Sequence, residues 1–264
     1  MGSVTLNENS GMKSTEKTTK RLADQLGEFH QRTEKDHQDS WERFKPFVYS
    51  IVHDLKSPAV AIHGLTELLY RQYKDVLDDK GKSYCEHILK ASLHVVSLID
   101  KINVYIATKE APLRIERLNV REIIRLVREE FSPRLAVRQI EWFEPEEVIK
   151  IKADKLSILR IFTNLVDNAL KHGGEELSEI RIDYRQSEDF HLFSVSDNGV
   201  GIIGGIDEIV FAPFQRPEQA GTVEGAGLGL AIISEIAKRH RGEVWVEPGQ
   251  AKGTTFYISL SKHI

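Results

Sequence analysis

Apolar positions in the first half of the chain fall on a heptad rhythm. Phe44, Val48, Ile51, Leu55, Pro58, Ile62, Leu65 and Leu69 alternate four and three residues apart. After the polar break YKDVLDDKGK a second stripe follows the same spacing: Tyr84, Ile88, Ala91, Val95, Leu98, Ile102 and Tyr105. Seams of this length predict supercoiled helices rather than isolated surface helices. The short break between them predicts an antiparallel hairpin. A lone hairpin cannot cover its own seam, so two copies are expected to pair as a homodimeric four-helix bundle.

The texture changes after Ala111-Pro112. Asn119 with Glu122 reads as a capping box opening a helix that ends near Phe131. Strand-like alternation or β-branched content marks residues 140–143, 148–151, 179–184, 190–196, 243–246 and 254–260, with helical runs at 154–172 and 228–240. Strands and helices mixed in this order predict a separate α/β domain. The expected organisation is therefore a leader over residues 1–40, a helical hairpin over 41–110 and an α/β sandwich over 111–264. The first twenty or so residues are polar and nearly free of apolar side chains, which predicts disorder. Weak helical spacing of Leu22, Leu26 and Phe29 follows them.

Composition narrows the class. With 264 residues, 41% of them hydrophobic, there is material for a real core, and a net charge of −4 with interspersed signs gives no reason to expect nucleic acid or an anionic membrane as partner. Cys85 is the only cysteine, which excludes an internal disulfide and suits a reducing, cytoplasmic compartment. No apolar run approaches the roughly 18 residues of a membrane span, so no membrane segment is expected in this chain.

Chemistry enters at SIVHDLKSP. On the first seam His53 falls at the position farthest from the apolar stripe, with Asp54 beside it. Such an imidazole projects to solvent from a rigid helix, and neutral imidazole is a competent nucleophile near pH 7. A neighbouring carboxylate can accept one ring N–H, leave the other nitrogen free to attack, and stabilise the charge that develops. Pro58 takes away the N–H that would bond the Asp54 carbonyl and is expected to bend the helix there. The plainer reading, a solvated surface histidine near a tolerated proline, fits the local pattern equally well. His63, without carboxylate or proline, reads as an ordinary surface residue.

The second half supplies a nucleotide-like constellation. IFTNLVDNALKHGG puts Asn164 and Asn168 on one helical face with Lys171 a turn beyond. Carboxamide oxygens suit a hard cation such as Mg²⁺, and a lysine suits phosphate. In VSDNGVGI a strand ends at Asp197, able to accept a hydrogen bond from an exocyclic amine such as adenine's, and Gly199 and Gly201 permit a tight turn. EGAGLGLAI places Gly225, Gly227, Leu228 and Gly229 at a helix start, where free N–H groups suit phosphate. Between them lies a lid-like segment with Arg216. Each element alone is weak. The dinucleotide fingerprint fits poorly and the Walker A lysine-serine pair is absent.

Together these motifs resemble those of the sensor histidine kinases of two-component signalling. HDLKSP resembles the phosphoacceptor box and NLVDNALKH the asparagine box. DNGVGI, VFAPF, GAGLGL and GTTF resemble the four that follow, and the likeness spans about residues 40 to 262. It implies a Bergerat α/β sandwich binding ATP, phosphorylation of His53 assisted by Asp54, and Mg²⁺ held by Asn168 with Asn164. It further implies adenine read by Asp197, phosphates approached by Lys171 and Arg216, Thr254 among the cofactor-binding residues, and transfer onward to a response regulator receiver domain. Family members with phosphatase activity tend to carry Thr or Asn where this chain has Ser57. Two other readings stay open. One is a conformational ATPase of the Hsp90, gyrase or MutL type, although those activate water with a glutamate where this chain has Asn164. The other is a dimeric nucleotide-binding scaffold without transfer.

Overall fold

The computed structural model describes residues 45–202, 208–215, 227–249 and 252–264. The expected disordered leader, Phe44, Arg216 and Gly225 lie outside the described residues. The chain divides into two units, residues 1–58 and 59–264. Helix α1 covers residues 45–73, and its helical assignment includes Pro58.

In the larger unit, Asp78 caps α2 (Asp79–Glu110) by accepting the Gly81 N–H at 2.7 Å. Residues 59–73 and α2 form a hairpin with two distinct stripes. Ala59, Cys85, Ser92, Ile99 and Ile106 are buried, the last four at heptad spacing. His63 belongs to this inner stripe. It is half-buried with Nδ1 3.1 Å from Ser92 Oγ, not an ordinary surface residue as its sequence context suggested. The apolar seam read from the sequence lies one position away and stands in water along most of its length: Ile62, Leu65, Leu69, Tyr84, Ile88 and Val95 are all exposed. One stripe closes the hairpin and the other is left over.

The α/β part begins with β1 (Ile115–Asn119), which pairs antiparallel with β3 (Lys150–Asp154). The main sheet has five strands in the order β2-β4-β5-β7-β6: β2 (Glu141–Phe143), β4 (Glu179–Gln186), β5 (Phe190–Asp197), β7 (Thr254–Ser261) and β6 (Val244–Pro248). All its pairings are antiparallel except β2 with β4. Helices α3 (Val120–Val137), α4 (Lys155–His172) and α5 (Gly229–Arg239) complete this part. The core holds Ile158, Phe162 and Leu165 of α4 together with Ile180, Phe193 and Ile258 of the sheet, all at most 2% exposed. Phe162 meets Phe193 edge-on with ring centres 5.7 Å apart. This is the expected arrangement, a helical segment followed by an α/β sandwich.

Helix α3 runs past Phe131 and through Pro133 to Val137. Pro133 has no N–H for the Glu129 carbonyl, and Ser132 Oγ donates to that oxygen instead, at 2.9 Å. The capping box at its start is not formed. Asn119 makes no side-chain cap bond; its Nδ2 donates to Glu122 Oε1 at 2.9 Å.

Helix α2 packs on α5 and ties to α4. Tyr105 lies beside Glu235, and burial, then that charge, pushes its hydroxyl up to about 12. Arg239 donates to the carbonyls of Thr108 and, at 2.6 Å, Ala111, serving the last acceptors of α2. Arg160 Nη1 donates to the buried Thr108 hydroxyl at 3.1 Å.

Candidate functional site: an asparagine pair facing a glycine helix start

Helix α4 begins where Asp154 Oδ1 accepts the Ser157 N–H at 2.8 Å. Its other end is held by Arg138, which donates to the carbonyls of Leu170, at 2.7 Å, and Gly174. Between these fixed ends stand Asn164 and Asn168. Asn164 Nδ2 donates to the Arg160 carbonyl at 2.7 Å, which leaves its oxygen to face outward. That oxygen looks onto Gly229, the first residue of α5. A Cβ at Gly229 would lie 3.0 Å from Asn164 Oδ1 and 3.8 Å from Asn168 Oδ1. Two neutral oxygens therefore face a space that a Cβ at this position would crowd, a donor set able to serve a hard cation. Leu228, 1% exposed, anchors the start of α5, and Gly227 has φ +64 with no room for a Cβ beside the Gln215 carbonyl.

Lys171 forms an ion pair with Asp167 four residues earlier, and Arg134 Nη1 bonds the other oxygen of Asp167 at 2.9 Å. Burial alone would raise the Asp167 carboxyl, but the hydrogen bonds and charges of Lys171 and Arg134 outweigh it and hold it below the usual carboxylate range.

Asp197 ends β5 opposite Thr254 of β7. Its carboxylate accepts the Gly199 N–H at 3.0 Å and the backbone N–H of Thr254, yet burial dominates and moves its pKa up. The loop after it is pressed on the end of α4. The Val200 N–H bonds the Gly173 carbonyl at 3.0 Å, and a Cβ at Gly199 would stand 2.3 Å from that oxygen. Gly201, with φ +75, lies against Gly253, itself packed on the Asp197 carbonyl. Asn198 Oδ1 pins the strand entrance by accepting from Ser178 and Glu179 N–H groups at 3.0 and 2.9 Å. The Asp197 loop is thus joined to the asparagine helix by backbone contacts, and the glycine start of α5 faces the asparagine side chains of that helix. A cleft of about 590 Å³ at the edge of α3 and β2, lined by Arg128, Leu135, Gln139 and Trp142 among others, shares no residue with this site.

In the smaller unit His53 is a solvent-facing side chain, 86% exposed, with Nδ1 3.2 Å from Asp54 Oδ1. Ser50 Oγ donates to the other Asp54 oxygen at 3.4 Å. Ser57 is exposed one residue before Pro58.

Several residues that shape the site were not singled out from sequence. The i,i+4 spacing of Asp167 and Lys171 would have disclosed their pairing. Gly253, beside the highlighted Thr254, matters through its φ of +87 and its contact with Asp197. Arg134, Arg160 and Arg239 carry no local signal, because their partners are distant in sequence.

Residues 153–264 match the family of histidine kinase-, DNA gyrase B- and HSP90-like ATPases. The phytochrome-like protein Cph1 of Synechocystis sp. is 28% identical over 240 residues, covering 91% of this chain and 31% of that protein. The methanogenesis regulatory histidine kinase FilI of Methanothrix harundinacea is 30% identical over 215 residues, 81% of this chain and 24% of its own length. The catalytic domain of histidine kinase ThkA matches 57% of this chain and 98% of its own, with 27% identity and a TM-score of 0.50. Full-length ShkA in complex with AMPPNP superposes over 81% of this chain and 45% of its own with a TM-score of 0.65 at 24% identity, a likeness of fold. The chain thus carries an ATP-binding domain of the histidine kinase, gyrase B and HSP90 type. The similarity to Cph1 and to the histidine kinase FilI extends beyond that domain into the hairpin ahead of it. It spans about a third of the length of the first curated relatives it matches.

Proposed function

We propose that this chain is an ATP-dependent protein histidine kinase that phosphorylates His53 and passes the phosphoryl group to an aspartate of a response regulator. The observation that carries the reading is the exposed His53 ring with Nδ1 against Asp54. With the Nδ1 proton donated to that carboxylate, the Nε2 lone pair is free to attack the γ-phosphorus of ATP. A new N–P bond forms, ADP leaves with the electrons of the broken P–O bond, and Asp54 takes up the ring's surplus proton. Asn164 and Asn168 would hold Mg²⁺, which neutralises charge on the phosphates. Asp197 would read the adenine amine, and Lys171 and Arg216, together with the N–H groups at Gly225, Gly227, Leu228 and Gly229, would meet the phosphates. Asn164, whose amide is engaged by the Arg160 carbonyl, cannot serve as a general base toward water, which favours transfer over direct hydrolysis.

The leftover seam of Ile62, Leu65, Leu69, Tyr84 and Ile88 supports a homodimer in which two hairpins make a four-helix bundle. Ser57 is the residue to orient water in a phosphatase reaction. Among the described residues no helix is long and apolar enough to cross a membrane. A receiver-domain partner and one buried, unpaired cysteine suit the cytoplasm. The role of the whole protein is signal transduction, with residues 41–110 as phosphotransfer hairpin and 111–264 as ATP-binding domain. Histidine kinase ThkA in its complex with the response regulator TrrA, similar in fold over 85% of this chain with a TM-score of 0.60, offers a precedent for that partner. The test is incubation with γ-labelled ATP and Mg²⁺: acid-labile, base-stable label on wild type and none on His53→Gln is expected, and equal label on both overturns the assignment.

A further inference from the structure

The two helices that form the site are tied to one residue of the hairpin. Helix α5 packs on α4 and also on α2. Thr108, in the last turn of α2, is 4% exposed. Its hydroxyl donates to the Val104 carbonyl at 2.7 Å and accepts Nη1 of Arg160, from α4, at 3.1 Å. With the single hydroxyl proton given to Val104, the oxygen's lone pairs are left for the arginine. The Thr108 carbonyl accepts Nη1 of Arg239, the last residue of α5, and Nη2 of the same guanidinium donates to the Ala111 carbonyl at 2.6 Å.

Both ties lead to the site. Arg160 stands one turn before Asn164, and its carbonyl holds the Asn164 amide at 2.7 Å while the Asn164 oxygen looks onto Gly229. Gly229 opens α5 and Arg239 closes it, so the helix is a rod roughly 15 Å long between them. A rod clamped at its far end keeps its near end in place. Thr108 therefore holds α4 beside the asparagine and α5 at the end opposite the glycine. Bonds donated by a guanidinium are among the stronger ones, and a half-buried Arg160 deprived of its acceptor is costly. Loss of the tie lets the gap between Gly229 and the Asn164 oxygen widen.

We propose that Thr108 is a positioning residue: from the end of the hairpin it sets the separation of α4 and α5, and with it the site for the metal and the terminal phosphates. The inference rests on the kinase reading and adds that the hairpin prepares the ATP-binding domain for Mg²⁺ and nucleotide. Such coupling is reciprocal. Whatever Thr108 adds to nucleotide affinity, bound nucleotide adds to the grip on the end of α2.

The test is calorimetric titration of the full chain, as wild type, Thr108→Val and Thr108→Ser, with a non-hydrolysable ATP analogue plus Mg²⁺ and with AMP. Thr108→Val is expected to bind the analogue about tenfold more weakly. AMP, which lacks the terminal phosphates, should bind unchanged, and Thr108→Ser should stay close to wild type. In wild type, saturating analogue should slow amide hydrogen exchange over residues 104–111 by about the same factor, with no such slowing in Thr108→Val. Unchanged analogue affinity in Thr108→Val, an equal loss for AMP, or wild-type exchange indifferent to the analogue overturns the inference. Equal losses in Thr108→Ser and Thr108→Val also overturn it, since they would assign Thr108 to packing alone. The wild-type exchange measurement decides the matter should Thr108→Val fail to fold. Failure of the wild type to bind the analogue would instead overturn the kinase reading itself.

Discussion

His240 Nε2 accepts the backbone N–H of Asp154 at 3.2 Å, across 86 residues of sequence, while its Nδ1 lies 2.9 Å from the Ile236 carbonyl. Both bonds together require the neutral ring with its proton on Nδ1. The histidine thereby fixes the turn from which the asparagine helix starts. Burial holds its pKa below the ordinary imidazole value, aided by Arg239 and opposed by the Ile236 bond and the Asp154 charge. Because the folded form resists protonation, this contribution to stability is complete above the unfolded pKa of about 6.5 and is lost as pH falls through and below it. Denaturant midpoints measured from pH 7.5 to 5 should fall. In His240→Leu the slope should flatten and stability at pH 7.5 drop by about 2 kcal/mol, because the Asp154 N–H is left without an acceptor.

Asp197 shows the opposite compromise. Its pKa is raised by burial, so the ionised carboxylate opposes folding at neutral pH. Asp197→Asn retains an oxygen for the Gly199 and Thr254 N–H groups and removes the buried charge. Its melting temperature should equal or exceed that of wild type, while affinity for ATP falls about tenfold or more. Unchanged nucleotide affinity would contradict the adenine role.

A Cβ at Gly229 would crowd the Asn164 oxygen at 3.0 Å. Gly229→Ala should therefore weaken Mg²⁺-dependent ATP binding about tenfold. Alanine at the first turn of α5 is the better helix former, so thermal stability should hold or rise. Calorimetric titration with and without Mg²⁺, paired with thermal melting, checks both.

For the proposed dimer, Ile62→Asp combined with Leu65→Asp places charges on the exposed seam and leaves the inner stripe of Ala59, Ser92 and Ile99 intact. The dissociation constant should rise by at least about a thousandfold, since two apolar side chains are lost from each of two copies. Light scattering should report a monomer, with helical circular dichroism and ATP affinity retained. A dimer that survives the double substitution would rule the seam out as its interface.

Most of the elements were legible because their periodicity is local. The runs read as helices at 154–172 and 228–240 and the strands at 179–184, 190–196 and 254–260 became α4, α5, β4, β5 and β7 with ends moved by a residue or two. The strand read at 148–151 starts two residues later, at Lys150. Strand β1 was missed because Ile115–Asn119 has no alternating apolar face and pairs with β3 outside the main sheet. The extent of α3 was missed because Pro133 reads as a stop until Ser132 is seen bonding the Glu129 carbonyl. His63 misled because its burial depends on Ser92, 29 residues away.

The residues proposed for the site stood out in the sequence for a different reason. Asn, Asp and Gly at a site are chosen for an oxygen or for the absence of a side chain, and these properties survive without knowledge of the surroundings. The charges around them do not. Lys171 on its own reads as a phosphate ligand, and only the folded chain pairs it with Asp167 and puts Arg134 on that carboxylate's other oxygen.

Gly199 and Gly173 touch backbone to backbone, with no space for even one methyl between them. Gly173 closes the helix bearing the asparagine pair, and Gly199 follows the carboxylate that would face the base. The carboxylate proposed to read the base and the asparagines proposed to hold the metal are consequently soldered into one rigid part. A designer wishing to retune this domain for a different purine could not shift the one end and leave the other in register, and would need to rebuild the two together.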